Sequence, residues 1–166
     1  MKVYFSHGKE SGPWGSKITR LAEIAQAQGY AVDSIDYTGV MDPDQRVEML
    51  VAILKEEERD VLLVGSSMGG YTSLVASQNT ELKEKGLFLL APALYMSSYK
   101  VQDYATKNTQ IEIVHGWSDD IIPPENSIRF SKTNDSSLHL ISGDHRLNFS
   151  MPRVEPIFKN FLLQFS

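Results

Sequence analysis

The stretch from Asp60 to Thr80 constrains this chain most, because it joins an apolar run to a helical pattern through a turn of small residues. Val61-Leu62-Leu63-Val64 is short, apolar and closed by Gly65, which reads as a strand buried on both faces. After the turn, Met68, Thr72, Val75 and Ala76 recur at helical spacing. Residues 65 to 69, Gly65-Ser66-Ser67-Met68-Gly69, fit G-x-S-x-G, the pattern of a nucleophile elbow between a strand and a helix. Glycines belong there on steric grounds: the turn strains the serine backbone, and side chains on either flank would meet neighbouring chain. Ser67 is then expected to stand exposed at the N-terminal end of a helix.

Alone, the pattern is weak in a chain with 11 glycines. A strand, Gly-rich turn and helix can also cradle a phosphate on backbone N–H groups. That reading lacks the Lys-Ser/Thr pair of a P-loop and the third glycine of a dinucleotide fingerprint.

The remaining chain supplies alternating elements. Strands are expected at residues 2–6, 30–35, 61–64, 86–90, 111–114 and 138–141. A helix carrying Ile18, Leu21, Ala22, Ile24 and Ala25 stops near Gly29, and a second starts at Asp42-Pro43 with Val47, Leu50, Val51 and Leu54 inward. Further helices are expected at 125–132 and 154–165. From Ala93 to Asn108 the pattern weakens around Tyr95, Tyr99 and Tyr104, which suggests a short helix with a loop. Six strands alternating with helices predict an α/β fold: a three-layer, doubly wound, all-parallel sheet of order 2-1-3-4-5-6. The loops after the first and third strands then meet at the switch point where such sheets bind ligands.

At 166 residues the chain is expected to form one domain spanning 1–166. A net charge of −5 without a basic cluster speaks against nucleic acid or an anionic membrane as partner. The absence of cysteine excludes disulfides, a thiolate nucleophile and a zinc–thiolate site. No signal-peptide pattern opens the sequence and no run approaches a membrane span, so a cytoplasmic enzyme or binding domain is expected.

A serine hydroxyl needs a base in reach, usually a histidine held by a carboxylate. Of four histidines, His139 lies inside a strand pattern, and His7 and His115 each precede glycine at a strand end, where they read as loop-shaping residues bonded to nearby backbone. His145 follows the last strand in a polar loop, the expected place for a base. Asp119 lies in the turn after the fifth strand, with Asp120 as its rival; Asp144 reads as a loop-stabilising residue. Serine, aspartate, histidine is the chain order of the α/β-hydrolase arrangement.

With these residues in view, the chain resembles a small α/β-hydrolase of the serine-esterase type, essentially end to end. Four stretches carry the likeness: His7-Gly8, Gly65-Ser66-Ser67-Met68-Gly69-Gly70, His115-Gly116-Trp117-Ser118-Asp119-Asp120-Ile121-Ile122-Pro123, and Gly143-Asp144-His145. The third follows the family's H-G-x-x-D-x-x-[VI]-P form, which places the acid at Asp119. The resemblance implies Ser67 as nucleophile, His145 as general base and acid, and Asp119 as orienter of the imidazole. It implies an oxyanion hole made by the backbone N–H groups of Lys9 and Met68. Where family members carry an apolar or small residue, this chain has Lys9, whose charge is expected to favour an acidic or polar substrate.

Two leading antiparallel strands of the full-length family are missing, and there is no room for a large cap. An open site is therefore expected, walled by some of Trp14, Tyr95, Tyr99, Trp117, Ile122 and Leu147, although the tyrosines fit ordinary packing as well. The implied activity is cleavage of small carboxylic esters or thioesters through an acyl-enzyme on Ser67, with a small-molecule substrate, no metal and no cofactor. The alternatives are a non-catalytic binding or signalling domain on the same fold and, last, a nucleotide- or flavin-binding domain.

Overall fold

A computed structural model describes residues 1–79, 81–106 and 109–166. Among the described residues six strands, β1 (Lys2–Ser6), β2 (Ala31–Ile35), β3 (Val61–Ser66), β4 (Glu84–Leu90), β5 (Gln110–Gly116) and β6 (Ser137–Ile141), are interspersed with five α-helices, none of them between β4 and β5. The helices are α1 (Ser16–Ala27), α2 (Pro43–Lys55), α3 (Met68–Ser77), α4 (Pro124–Asn134) and α5 (Met151–Leu163). The strands pair in parallel throughout, in the order β2-β1-β3-β4-β5-β6. This is the all-parallel order expected from the sequence.

Strand alternation sorts the interior into two cores. Val61 and Leu63 of β3 face the layer built from α2, α3 and α4, with Leu50, Leu54, Tyr71, Leu74 and Phe130. Leu62 and Val64 face the layer of α1 and α5, with Leu21, Ala25, Phe158 and Phe161. Phe88 of β4 packs its ring 5.0 Å from Phe158 and 5.4 Å from Phe161, which anchors α5 on the sheet. Burying each such side chain contributes about 1.5–3 kcal/mol.

Local chemistry sets the helix ends. Asp42 caps α2 by accepting a hydrogen bond from the Asp44 N–H, and Pro43 occupies the first turn, where its missing N–H is no loss. After α1 the chain escapes through Gly29 at φ 86°.

One expected element is absent. Residues 93–106 form no helix; the end of that segment, Lys107 and Asn108, lies outside the described residues, as does Thr80. Tyrosine packing replaces helical hydrogen bonding. Tyr71 of α3 donates to Asp44 at 2.7 Å and accepts from the Val101 N–H at 3.1 Å. Tyr104 accepts from the Tyr95 N–H and donates to the Val101 carbonyl. Among the described residues no helix is long and apolar enough to cross a membrane.

Candidate active site

The loops at the carboxyl ends of the central strands converge on Ser67. This residue sits between β3 and α3 at φ 54°, ψ −118°, a conformation that costs a non-glycine residue on the order of 1–3 kcal/mol. The surroundings hold it there. Its N–H donates to the Leu90 carbonyl at 2.9 Å, and its carbonyl accepts from Gly70, Ala93 and Tyr71 N–H groups at 2.9, 3.0 and 3.3 Å. A β-carbon at Gly65 would collide with the Gly69 carbonyl, and one at Gly69 would collide with the backbone of Ser6 and His7. The glycines thus let the serine turn, the start of α3 and the end of β1 touch.

Three of the residues singled out in the sequence come together here. Ser67 Oγ lies 3.0 Å from His145 Nε2, and His145 Nδ1 lies 2.7 Å from Asp119 Oδ2. A carboxylate oxygen can only accept, so Nδ1 carries the proton and Nε2 presents its lone pair to the serine hydroxyl. His145 belongs to a braced loop. Asp144 accepts from the Leu147 N–H at 2.9 Å, and the half-buried Lys17 donates to the Arg146 carbonyl at 2.9 Å.

Asp119 is buried and its rival Asp120 is exposed. Asp119 Oδ1 accepts from the N–H groups of Ile121 and Ile122 at 2.9 and 2.8 Å. Oδ2 accepts from His145 and, at 3.0 Å, from Nε2 of His115. Burial by itself would raise this carboxyl, but the His145 N–H and the two backbone N–H groups outweigh it, and its pKa lies below the ordinary carboxylate value.

His115 makes the expected bond to nearby backbone, the Ile122 carbonyl, but it also reaches Asp119. It lies within β5, which runs to Gly116, and is fully buried. Nε2 faces two acceptors, Asp119 Oδ2 and the Ile122 carbonyl, both at 3.0 Å, so that nitrogen bears the proton, and Nδ1 accepts from Ser127 at 2.7 Å. Burial lowers its pKa against the raising pull of the Ile122 carbonyl and Asp119. His139, on the edge strand β6, faces Glu112 at 3.2 Å, away from the site.

Met68 is the first residue of α3, and Lys9 follows His7-Gly8 at the end of β1. Among the described residues neither N–H has a partner within the protein. The two loops touch: a β-carbon on Gly8 would stand 3.7 Å from Cβ of Ser67.

The expected walls are only partly present. Trp14 and Trp117 are 51% and 60% exposed and stand in loops at the carboxyl edge, where Met41, Ile121 and Phe149 are exposed as well. Leu147 and Ile122 do not wall the site. Leu147 turns inward at φ 58° and is fully buried with Val154 and Phe158, while Ile122 is 3% exposed beneath the Asp119 turn. Tyr95 packs under the Arg129 guanidinium at 3.9 Å and against Tyr104, and Tyr99 packs edge-on against Tyr71.

Sequence reasoning also missed two cations. Lys17, at the start of α1, is drawn down to about 8 by burial, opposed by Asp144 and Asp119. Arg46 of α2 is fully buried next to the loop after β1. The signal for Arg46 was its place in the series Pro43, Arg46, Leu50, Leu54, one apolar stripe with a charge in it.

The sequence profile of the uncharacterised protein family UPF0227 matches residues 1–122. The chain belongs to that family. It is also a member of the α/β-hydrolase superfamily, as its sheet order and its structural relatives agree. A protein from Xanthomonas campestris pv. campestris, described provisionally as a hydrolase of the α/β superfamily, superposes with a TM-score of 0.89 at 29% identity, over 98% of each chain. Est1E from Butyrivibrio proteoclasticus gives 0.81 at 20% identity, over 98% of this chain and 86% of its own. Mouse alpha/beta hydrolase domain-containing protein 10 gives 0.80 at 17% identity, over 99% of this chain and 90% of its own. Comparison with curated proteins gives no match. The fold and the hydrolase description of the Xanthomonas relative support a hydrolase.

Proposed function

We propose that this UPF0227 member is a serine hydrolase that cleaves small carboxylic esters or thioesters through an acyl-enzyme on Ser67. The observation that carries the reading is the unbroken chain from Ser67 Oγ through both nitrogens of His145 to Asp119, at 3.0 and 2.7 Å. Its polarity runs the right way: the acid accepts at Nδ1, which leaves Nε2 free to take the serine proton.

In this reading Ser67 Oγ attacks the ester carbonyl as its proton passes to His145 Nε2. The tetrahedral oxyanion is received by the N–H groups of Met68 and Lys9, a pair whose loss costs roughly 10²–10³-fold per donor in comparable sites. The imidazolium, held by Asp119, returns the proton to the departing alcohol or thiol. Water then attacks the acyl carbonyl with the same histidine as base, and Ser67 leaves as alcohol. The exposed rim of Trp14, Trp117, Ile121 and Phe149 supports an open mouth that admits small substrates without a cap.

The test is hydrolysis of a panel of short-chain p-nitrophenyl esters and acyl thioesters by the wild type and by Ser67→Ala, His145→Ala and Asp119→Asn. Turnover by the wild type with losses of roughly 10⁴–10⁶-fold in the serine and histidine variants is expected. A folded wild type that turns over none of the panel would contradict it and favour a binding domain on the same fold.

A further inference from the structure

Arg46 is a fully buried cation that forms no ion pair among the described residues. A buried charge normally requires an anion. Here four backbone carbonyls take its N–H groups instead. Nε donates to Val40 at 2.7 Å, Nη1 to His7 and Gly8 at 3.0 and 3.2 Å, and Nη2 to Lys9 at 3.3 Å. The guanidinium lies 5.1 Å from the centre of the Tyr37 ring, a cation–π contact that stabilises it further.

The Gly8 carbonyl is held from a second side. Tyr37 donates its backbone N–H to His7 Nε2 at 2.9 Å, which makes that nitrogen an acceptor and puts the ring proton on Nδ1. Nδ1 therefore donates to the Gly8 carbonyl, at 2.7 Å, and Ser11 Oγ approaches the same oxygen at 3.4 Å. The peptide that carries this carbonyl is the one that carries the Lys9 N–H. A peptide unit is planar and, here, trans, so its N–H points opposite to its C=O. Fixing the Gly8 oxygen toward Arg46 and His7 fixes the Lys9 N–H in the opposite direction.

We propose that Arg46, assisted by His7, is the positioning residue of the oxyanion hole: it clamps the carbonyls of residues 7–9 so that the Lys9 N–H stays aimed at the reacting carbonyl, and it leaves an unneutralised positive charge behind that donor. The inference rests on the serine-hydrolase reading above. Arg46 touches neither substrate nor Ser67; it acts through the loop. A flexible loop would have to be ordered at each turnover, whereas a clamped one is organised before charge develops on the oxygen. The effect belongs to the transition state, so it is felt in kcat and in the rate of serine phosphonylation, and little in KM.

The experiment measures, for wild type, Arg46→Met and Arg46→Lys, the second-order rate of fluorophosphonate labelling at Ser67, and kcat and KM for a p-nitrophenyl ester, with circular dichroism to establish folding. The expected result is a loss of roughly 10²-fold in labelling rate and kcat for Arg46→Met, with KM within about threefold. Arg46→Lys keeps the charge without the planar fork and recovers part of the loss. Variants that label at the wild-type rate, or that raise KM while kcat holds, overturn the inference. Should both variants fail to fold, the wild type carries the test: on phosphonylation the Lys9 amide proton resonance moves downfield, and an unmoved resonance overturns it. Absence of labelling in the wild type is a different outcome, which defeats the serine-hydrolase reading itself.

Discussion

His115 donates its Nε2–H to the same oxygen of Asp119 that accepts the His145 Nδ1–H, at 3.0 Å against 2.7 Å. The acid is thereby tied by two imidazoles and two backbone N–H groups and has little freedom to rotate away from His145. Replacing His115 by leucine removes one donor from a buried carboxylate. A charge-assisted hydrogen bond is worth about 1.5–3 kcal/mol, so kcat should fall by about tenfold or more, and Asp119 should titrate higher. Ester hydrolysis as a function of pH checks both; an unchanged kcat would show that His115 only fills space.

Asp119 and Asp120 are neighbours with opposite environments, one buried under four hydrogen bonds and the other exposed. In the proposed mechanism Asp119→Asn offers an amide to His145 and stabilises the wrong tautomer, with an expected loss of about 10⁴-fold in kcat. Asp120→Asn should stay within about threefold of wild type, as surface changes do. Steady-state kinetics of the two variants side by side decide the assignment.

Lys17 gives a pH signature. Burial, opposed by Asp144 and Asp119, sets its folded pKa at about 8 against an ordinary 10.5. Between those values the unfolded chain binds the extra proton, so stability attributable to Lys17 rises as the pH goes from about 8 to 10.5 and is lost on going back down through 8. The difference in urea midpoint between wild type and Lys17→Met, followed across this range, removes the contribution of other groups. The wild type should gain on the variant as pH rises; a flat difference contradicts the lowered pKa.

Lys9 sits at the proposed oxyanion hole through its backbone, and its side chain is exposed. Its charge should therefore act on substrate choice rather than on the chemistry. Lys9→Ala is expected to keep kcat/KM for a neutral ester within about threefold while lowering that for an anionic ester of the same acyl group, the direction a lost surface charge gives. Equal effects on both esters would remove the charge from the account of specificity.

Much of this was legible in the sequence. Alternation of apolar runs with helical stripes led to the strand order, and G-x-S-x-G led to a serine at a strained turn, because both are local patterns with steric causes. The position of His145 after the last strand was also local. Choosing Asp119 over Asp120 required the resemblance, since adjacent residues differ only in which way the turn points them. The bond between His115 and Asp119 was hidden for a related reason: β5 extends through Gly116, and strand geometry rather than a loop aims the imidazole. Leu147 was misplaced because a left-handed turn folds it under the sheet into the α5 core. The segment after β4 lacks its expected helix because tyrosine hydroxyls and rings hold it as an irregular run of turns against α3 and α4. Arg46 escaped notice because charge on an apolar stripe reads as an exposed residue until the carbonyls that surround it are seen.

The central claim is that Ser67 is an activated nucleophile, and the most direct measurement is labelling of the purified protein with a fluorophosphonate, followed by peptide mass mapping, with Ser67→Ala as control. The account predicts one phosphonyl adduct on the peptide carrying Ser67, absent from the variant. A folded wild-type protein that takes no label, or takes it equally in Ser67→Ala, would contradict it.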